Sequence, residues 1–139
     1  MNRIITIVGF CLSVSVTIAW RPPVPRVFLI GDSTMANKKD SDRPETGWAE
    51  KLPGYFHEGI VFYNHAVNCR STKSCRNMCQ WEDVFNQLQK NDYVIIQFGH
   101  NDSKKDDPER YAEANTDYKK NLENYIKEIR SNSSLRAMS

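Results

Sequence analysis

"RVFLIGDSTMA", residues 26–36, is the stretch of sequence that decides the fold. Its apolar run, 27–30, is typical of a strand that is buried on both faces of a parallel sheet. The run ends abruptly in the string GDST at 31–34, which places a hydroxyl where the strand gives way to a loop. Because ligand sites in such sheets gather at the carboxyl ends of the strands, Ser33 is a candidate nucleophile.

Two more strand-then-helix units follow this first strand. The sequence predicts strands over 60–64 and 93–98, and a short helix over 47–56 that a proline interrupts. Longer helices are predicted over 76–89 and 116–130, because apolar side chains recur there at spacings of three and four residues. The two apolar stripes consist of Met78, Trp81, Val84, Phe85 and Leu88, and of Tyr118, Leu122, Tyr125, Ile126 and Ile129.

Alternating strands and helices favour a parallel sheet with helices on both faces and right-handed crossovers. We predict the strand order second, first, third, which brings the three strand ends to one edge of the sheet. Ser33, Cys69 and Asn101 follow the three strands in turn. A side-chain amide such as that of Asn101, together with backbone N–H groups, is what an oxyanion needs. Gly99 allows the tight turn before it.

Four stretches carry a resemblance to the SGNH (GDSL-like) hydrolases, and within them to the rhamnogalacturonan acetylesterases. They are FLIGDSTMA (28–36), RPETGWAE (43–50), NHAVNCRSTKS (64–74) and VIIQFGHNDSKKDDPERY (94–111). The resemblance implies an α/β fold, a flavodoxin-like three-layer α/β/α sandwich. It also implies a serine esterase that removes acetyl groups from pectic, rhamnogalacturonan-like or related polysaccharides. No cofactor and no metal is implied.

The same resemblance implies a role for each strand-end residue. Ser33 would be the nucleophile and would also give its backbone N–H to the oxyanion hole, to which Asn101 would give its side-chain amide. The family has a glycine at the remaining donor position, where this chain has Cys69. Cysteine keeps the N–H, but a positive φ there would cost about 1–2 kcal/mol. The residues expected to support these loops structurally are Asp32, Gly99 and Asp102.

The resemblance further implies a late Asp-x-x-His block, and that spacing does not occur in the 139 residues. His65 and His100 match non-catalytic positions of the family's strand ends. We therefore expect a C-terminally truncated copy without its general base, in which residues 20–139 form the N-terminal portion of the hydrolase domain. Serine is a poor nucleophile without a base. A sheet edge left open by truncation would also invite aggregation.

Residues 1–19 have the features of a secretory signal peptide. Arg3 gives a positive start, an apolar run covers 4–19, and small residues precede Trp20. An uncleaved anchor is the alternative, although the run is short for a bilayer span of ~20 residues. We expect a secreted or periplasmic protein that is monomeric and free of the membrane after cleavage, with an acetylated polysaccharide as its partner.

Charge and cysteine spacing argue against two kinds of site. Lys and Arg number 19 and Asp and Glu 17, so the net charge is only +2, and no basic stripe indicates nucleic acid. Cys69, Cys75 and Cys79 could form one disulfide or remain three thiols. With His65 they give His-x3-Cys-x5-Cys-x3-Cys, which is not a standard zinc spacing.

Two other kinds of function stay open. The first is a catalytically inactive glycan-binding relic that uses the same crevice. The second is a phosphate- or nucleotide-binding domain with 31–34 as its loop, although no Gly-x-Gly-x-x-Gly or lysine-bearing phosphate loop is present. Trp48 and Trp81 are assigned to the core and not to sugar platforms. Arg70 and Lys73 could meet an acidic substrate or remain solvated.

Overall fold

The structure is a computed structural model and describes residues 23–135. Three strands form one parallel sheet: β1 (Arg26–Gly31), β2 (Val61–Asn64) and β3 (Tyr93–Gln97). β1 lies in the middle, where Leu29 pairs with Asn64 on one side and Ile95 on the other. The predicted strands and their order, β2-β1-β3, are confirmed. The predicted signal peptide, 1–19, lies outside the described residues.

The helices connect and follow these strands. A 3-10 turn, Leu52–Tyr55, continues the first helix directly, as expected from its proline. A π-helical turn, Ala114–Tyr118, precedes the last helix. Within residues 23–135 the α-helices are α1 (Trp48–Lys51), α2 (Thr72–Asn77), α3 (Gln80–Phe85) and α4 (Lys119–Leu135).

The prediction of a single helix over 76–89 is wrong. Two short helices, α2 and α3, take its place, and Cys79 between them adopts a left-handed backbone conformation with φ of 59°. The turn also places Met78 at the surface, 57% exposed, although it was assigned to the apolar stripe. In α4 the stripe is narrower than predicted, since Ile126 is 44% exposed while Tyr125 is fully buried.

The larger core lies on the face of the sheet that α2, α3 and α4 cover. Tyr125 of α4 packs edge-on against Trp81 of α3, with ring centroids 4.7 Å apart. The Glu128 carboxylate ties these helices together, because it accepts bonds from Trp81 Nε1 (2.5 Å) and Arg76 Nη1 (3.0 and 3.2 Å). The buried members are Phe28, Ile30, Cys75, Trp81, Val84, Leu88, Phe98 and Tyr125.

The opposite face of the sheet is only partly covered. Near the carboxyl end of β1, the buried side chains Leu29, Met35 and Ala49 form a small second core. Toward the other end, Tyr93 and Ile95 of β3 are exposed and line an apolar groove of about 420 Å³. The functional loops therefore rest on the well-packed end of the sheet.

Candidate functional site

Ser33 stands in the turn that follows the central strand. The turn is closed by the Asp32 carbonyl, which accepts bonds from Met35 N (3.2 Å) and Ala36 N (3.0 Å). Ser33 itself is half-buried, and within residues 23–135 neither its hydroxyl nor its N–H makes a hydrogen bond. Both groups are therefore available to a ligand that reaches this edge of the sheet.

The buried Asp32 carboxylate holds this turn in shape. Its Oδ1 accepts bonds from Thr34 N (3.0 Å) and Gln97 Nε2 (3.3 Å). Thr34 Oγ1 lies 2.9 Å away and shares its single proton between this oxygen and Gln97 Oε1. Gly31 is required just before it, because a Cβ there would lie 2.7 Å from the Gln97 carbonyl oxygen. These contacts hold the backbone of the turn in place, and a supporting role for Asp32 in an active site stays a prediction.

The loop after β2 continues alongside the first strand. Val67 N donates to the Gly31 carbonyl at 3.1 Å, so the second loop is tied directly to the first. Cys69 in this loop is exposed and has φ of 64°. This conformation costs a non-glycine residue about 1–2 kcal/mol. Cys69 therefore has the strained backbone conformation, and its place in an oxyanion hole stays a prediction.

The loop after β3 brings Asn101 against the second loop. Asn101 is 2% exposed, and its Nδ2 donates to the Arg70 carbonyl at 2.8 Å. A side-chain amide nitrogen carries two protons, so this bond leaves one for another acceptor. Arg110 Nη1 approaches the Asn101 Oδ1 at 3.4 Å and sets which end of the amide faces the loop.

Asp102 anchors the third loop to the start of α2. Its Oδ1 accepts bonds from Thr72 N (2.9 Å) and Thr72 Oγ1 (2.5 Å), while its Oδ2 is buried with no partner in the described part of the chain. Burial raises the pKa of the Asp102 carboxyl, and the bonds from Thr72 partly oppose that rise. Gly99 has φ of 151°, which a side chain rarely adopts, so the glycine is needed at that bend.

None of the three histidines is hydrogen-bonded to Ser33 in the described residues. The His65 ring is stacked 5.9 Å from Phe28, and its Nε2 is buried without a partner in this part of the molecule. Burial lowers the pKa of His65. His57 and His100 are exposed in loops. A base for Ser33 is therefore not identified among residues 23–135.

Gln97 and Trp48 are part of the site, although neither was singled out for it from the sequence. Gln97 is the last residue of β3, and its Oε1 accepts bonds from Thr34 Oγ1 (2.9 Å) and Trp48 Nε1 (3.3 Å). The assignment of Trp48 to the core is wrong, since it is 40% exposed, whereas Trp81 is buried as expected. The one signal in the sequence that could have identified Gln97 is that it is a polar residue at the end of an apolar strand.

The three cysteines among residues 23–135 are unpaired. Cys69 and Cys79 are exposed thiols and Cys75 is a buried one. Of the two alternatives, one disulfide or three thiols, the described residues show three thiols. In residues 23–135, no three metal-ligating side chains of His, Cys, Asp or Glu come together. No helix in that range is both long and apolar enough to cross a membrane.

The three tied strand-end loops define an α/β protein whose site lies at the carboxyl edge of a parallel sheet. The family model for GDSL-like lipases and acylhydrolases matches residues 29–136. The chain belongs to that family. Its relatives include rhamnogalacturonan acetylesterases, as the quoted sequence motifs suggested.

Three such relatives share about a third of their aligned residues with this chain. The probable rhamnogalacturonan acetylesterase YesY of Bacillus subtilis (strain 168) is 35% identical over 100 residues, 72% of this chain and 46% of that protein. Rhamnogalacturonan acetylesterase RhgT of the same strain is 37% identical over 79 residues, 57% of this chain and 34% of RhgT. The rhamnogalacturonan acetylesterase of Emericella nidulans is 36% identical over 76 residues, 55% of this chain and 28% of that enzyme.

A solved structure supports the fold. The crystal structure of protein YXIM_BACsu from Bacillus subtilis superposes with a TM-score of 0.68 at 23% identity. The match covers 77% of this chain and 30% of that one. The chain thus spans less than half the length of each of these relatives.

Proposed function

We propose that this chain carries the nucleophile and oxyanion-hole portion of a carboxylic ester hydrolase that removes acetyl groups from a pectic polysaccharide. One observation carries the proposal: Ser33, free of hydrogen bonds in the described residues, stands on a turn held by the buried Asp32 at the end of the central strand. Membership of the GDSL-like family supports the reaction type. The names of the three relatives support the substrate class.

The chemistry follows from the groups present. The Ser33 hydroxyl attacks the acetyl carbonyl carbon and gives up its proton to a base, forming a tetrahedral intermediate. The N–H groups of Ser33 and Cys69 and the free amide proton of Asn101 stabilise the oxyanion. The C–O bond to the sugar breaks, the leaving sugar oxygen takes the proton from the base, and water then attacks the acetyl-serine, which releases acetate and restores the Ser33 hydroxyl. No step needs a metal or cofactor.

The base in this scheme is not identified among residues 23–135. No Asp-x-x-His spacing occurs in the 139 residues. We therefore expect the chain alone to hydrolyse acetyl esters far more slowly than an intact relative, since triad members act as a unit. An oxyanion hole and substrate binding can still leave a small residual rate.

A fusion tests the proposal directly. The chain is joined to the C-terminal part of RhgT, beyond the region that matches, and assayed for acetate release from acetylated rhamnogalacturonan. We expect the fusion to be much faster than the chain alone, and Ser33→Ala to abolish that gain. Ser41→Ala is the matched control, because it removes an exposed serine hydroxyl that bonds to Asp42 in the loop before α1. Full activity of the Ser33→Ala fusion would show that Ser33 is not the nucleophile.

The alternatives have their own outcomes in this assay. A fusion that binds the polysaccharide but releases no acetate would favour the glycan-binding relic. If the unfused chain is fully active and loses that activity on His65→Ala or His100→Ala, a local base exists. The picture of an incomplete site would then be wrong.

We also propose that residues 1–19 direct export and are removed, and that the mature chain is monomeric. The positive start and apolar run of this segment support export. Residues 1–25 fused to a reporter should release a mature form cut near Ala19. An uncleaved reporter in the membrane would indicate an anchor. A reporter retained in the cytosol would refute both the signal peptide and the anchor.

A further inference from the structure

Trp48 lies beside the nucleophile turn with much of its indole open to solvent. Its backbone N–H donates to the Thr34 carbonyl at 3.0 Å, so α1 begins against the residue that follows Ser33. The side chain is 40% exposed. A large apolar ring left in water at this edge of the sheet is a candidate contact for a ligand.

Gln97 holds the polar edge of this ring. Its Oε1 accepts from Trp48 Nε1 at 3.3 Å and from Thr34 Oγ1 at 2.9 Å. Its Nε2 donates to the buried Asp32 at 3.3 Å, so the amide is fixed from both ends. The same amide therefore orients the indole and braces the residues on either side of Ser33.

The faces of the indole lack an aromatic partner. Among the described residues no ring stacks on Trp48, whereas Trp81 packs against Tyr125 and Phe85 with ring centroids 4.7 and 5.8 Å apart. Because the N–H of Trp48 is already bonded, what remains for a ligand is an apolar surface. The C–H face of a pyranose ring is flat and apolar, and its hydroxyls can stay in water, so it complements such a surface.

We propose that Trp48 is a platform for the sugar ring that bears or neighbours the acetyl group, and that Gln97 positions it. This inference rests on the proposed function, because Trp48 adjoins the turn that carries Ser33: its backbone N–H donates to the Thr34 carbonyl at 3.0 Å. Trp48 would then determine specificity for acetylated saccharides over simple acetate esters.

Binding of a sugar without acetyl groups tests the platform separately from hydrolysis. The probe is a deacetylated rhamnogalacturonan oligosaccharide, titrated into the ¹⁵N-labelled chain while the indole N–H resonances are followed by NMR. We expect the Trp48 resonance to shift on titration, with Trp48→Phe used to assign it. We expect Trp48→Ala to weaken binding at least tenfold and Trp48→Phe to weaken it less.

Tyr93→Ala is the matched control, because Tyr93 is an exposed aromatic at the opposite end of β3, about 13 Å along the strand from Gln97. It should bind as the unaltered chain does. An equal loss in Tyr93→Ala, or no shift of the Trp48 resonance in the unaltered chain, would overturn the platform. The latter measurement needs only Trp48→Phe, for the assignment, so it decides the matter even if Trp48→Ala fails to fold.

The fusion assay separates the two proposals. If the fusion releases acetate while the Trp48 resonance does not respond to the oligosaccharide, the esterase proposal stands and the platform is wrong. If the resonance shifts and the fusion releases no acetate, sugar binding at Trp48 stands without the esterase.

Discussion

Cys69 stands in a left-handed conformation, with φ of 64°, in the loop expected to supply an oxyanion N–H. Glycine would relieve about 1–2 kcal/mol of strain and would cost roughly 0.5–1 kcal/mol in unfolded-chain entropy. We predict that Cys69→Gly raises the free energy of unfolding by about 0.5–1 kcal/mol, measured by urea denaturation. In the fusion with RhgT it should also raise the rate of acetate release.

Cys79→Gly is the matched control for this change, because Cys79 has nearly the same φ, 59°, but lies between α2 and α3. It should give a similar gain in stability and no change in rate. A loss of stability in Cys69→Gly would mean that the cysteine side chain contributes contacts larger than the backbone strain.

His65 gives the chain a pH-dependent stability. Burial lowers the pKa of its imidazole, an effect that Asp83 partly opposes. As pH falls below about 6.5, the imidazole takes up a proton in the unfolded state before it does so in the folded state. The free energy of unfolding therefore decreases between about pH 6.5 and the lower pKa of the folded state. We predict that His65→Phe, which keeps a ring against Phe28, flattens the fall in urea midpoint between pH 7 and 5. If the urea midpoint of His65→Phe falls with pH as steeply as that of the unaltered chain, titratable groups other than His65 cause the fall.

Glu128 of α4 links three helices, because its carboxylate bonds to one residue of α2 and one of α3. Its carboxylate accepts from Trp81 Nε1 and Arg76 Nη1, so its removal leaves a buried indole N–H without an acceptor. We predict that Glu128→Ala lowers the free energy of unfolding by about 1–3 kcal/mol. Glu123→Ala is the control, since its contact with Lys119 is exposed and 3.9 Å long. It should stay within about 0.5 kcal/mol of the unaltered chain.

The strands and helices could be predicted wherever the local sequence pattern determines them. Each strand is an apolar run bounded by turn-forming residues, and the crossover rule then gives the order β2-β1-β3. The break at Cys79 was not predictable, because spacings of three and four continue across it in the sequence. Packing of α3 against the sheet, and not local propensity, places that residue in a left-handed conformation.

The site was predictable only where strand ends mark it. Ser33, Cys69 and Asn101 each follow a strand, so their loops could be assigned to one edge of the sheet. Gln97 could not be assigned to the site from the sequence, because its partners Asp32 and Thr34 lie more than 60 residues away in the chain. The exposure of Trp48 depends on where α1 begins, which hydrophobic periodicity does not determine.

At the scale of the whole molecule, the partly covered sheet face makes the chain prone to aggregate. Tyr93 and Ile95 are exposed on β3, which pairs only with β1 in the described residues. Exposed edge strands with apolar side chains template association. We predict that Ile95→Lys slows the growth of light scattering in concentrated solution. Ile126→Lys, on an exposed position of α4, should not, and equal effects would point to net charge as the cause.

The central position of β1 has a consequence for how the chain is made. Val27 pairs with Tyr93, 66 residues later, so the sheet stays incomplete until β3 has been synthesised. At 5–20 residues per second, that leaves one side of β1 without its partner strand for roughly 3–13 s. Nascent chains arrested before residue 93 should therefore be cleaved readily by protease within β1, and those arrested well after it should be protected.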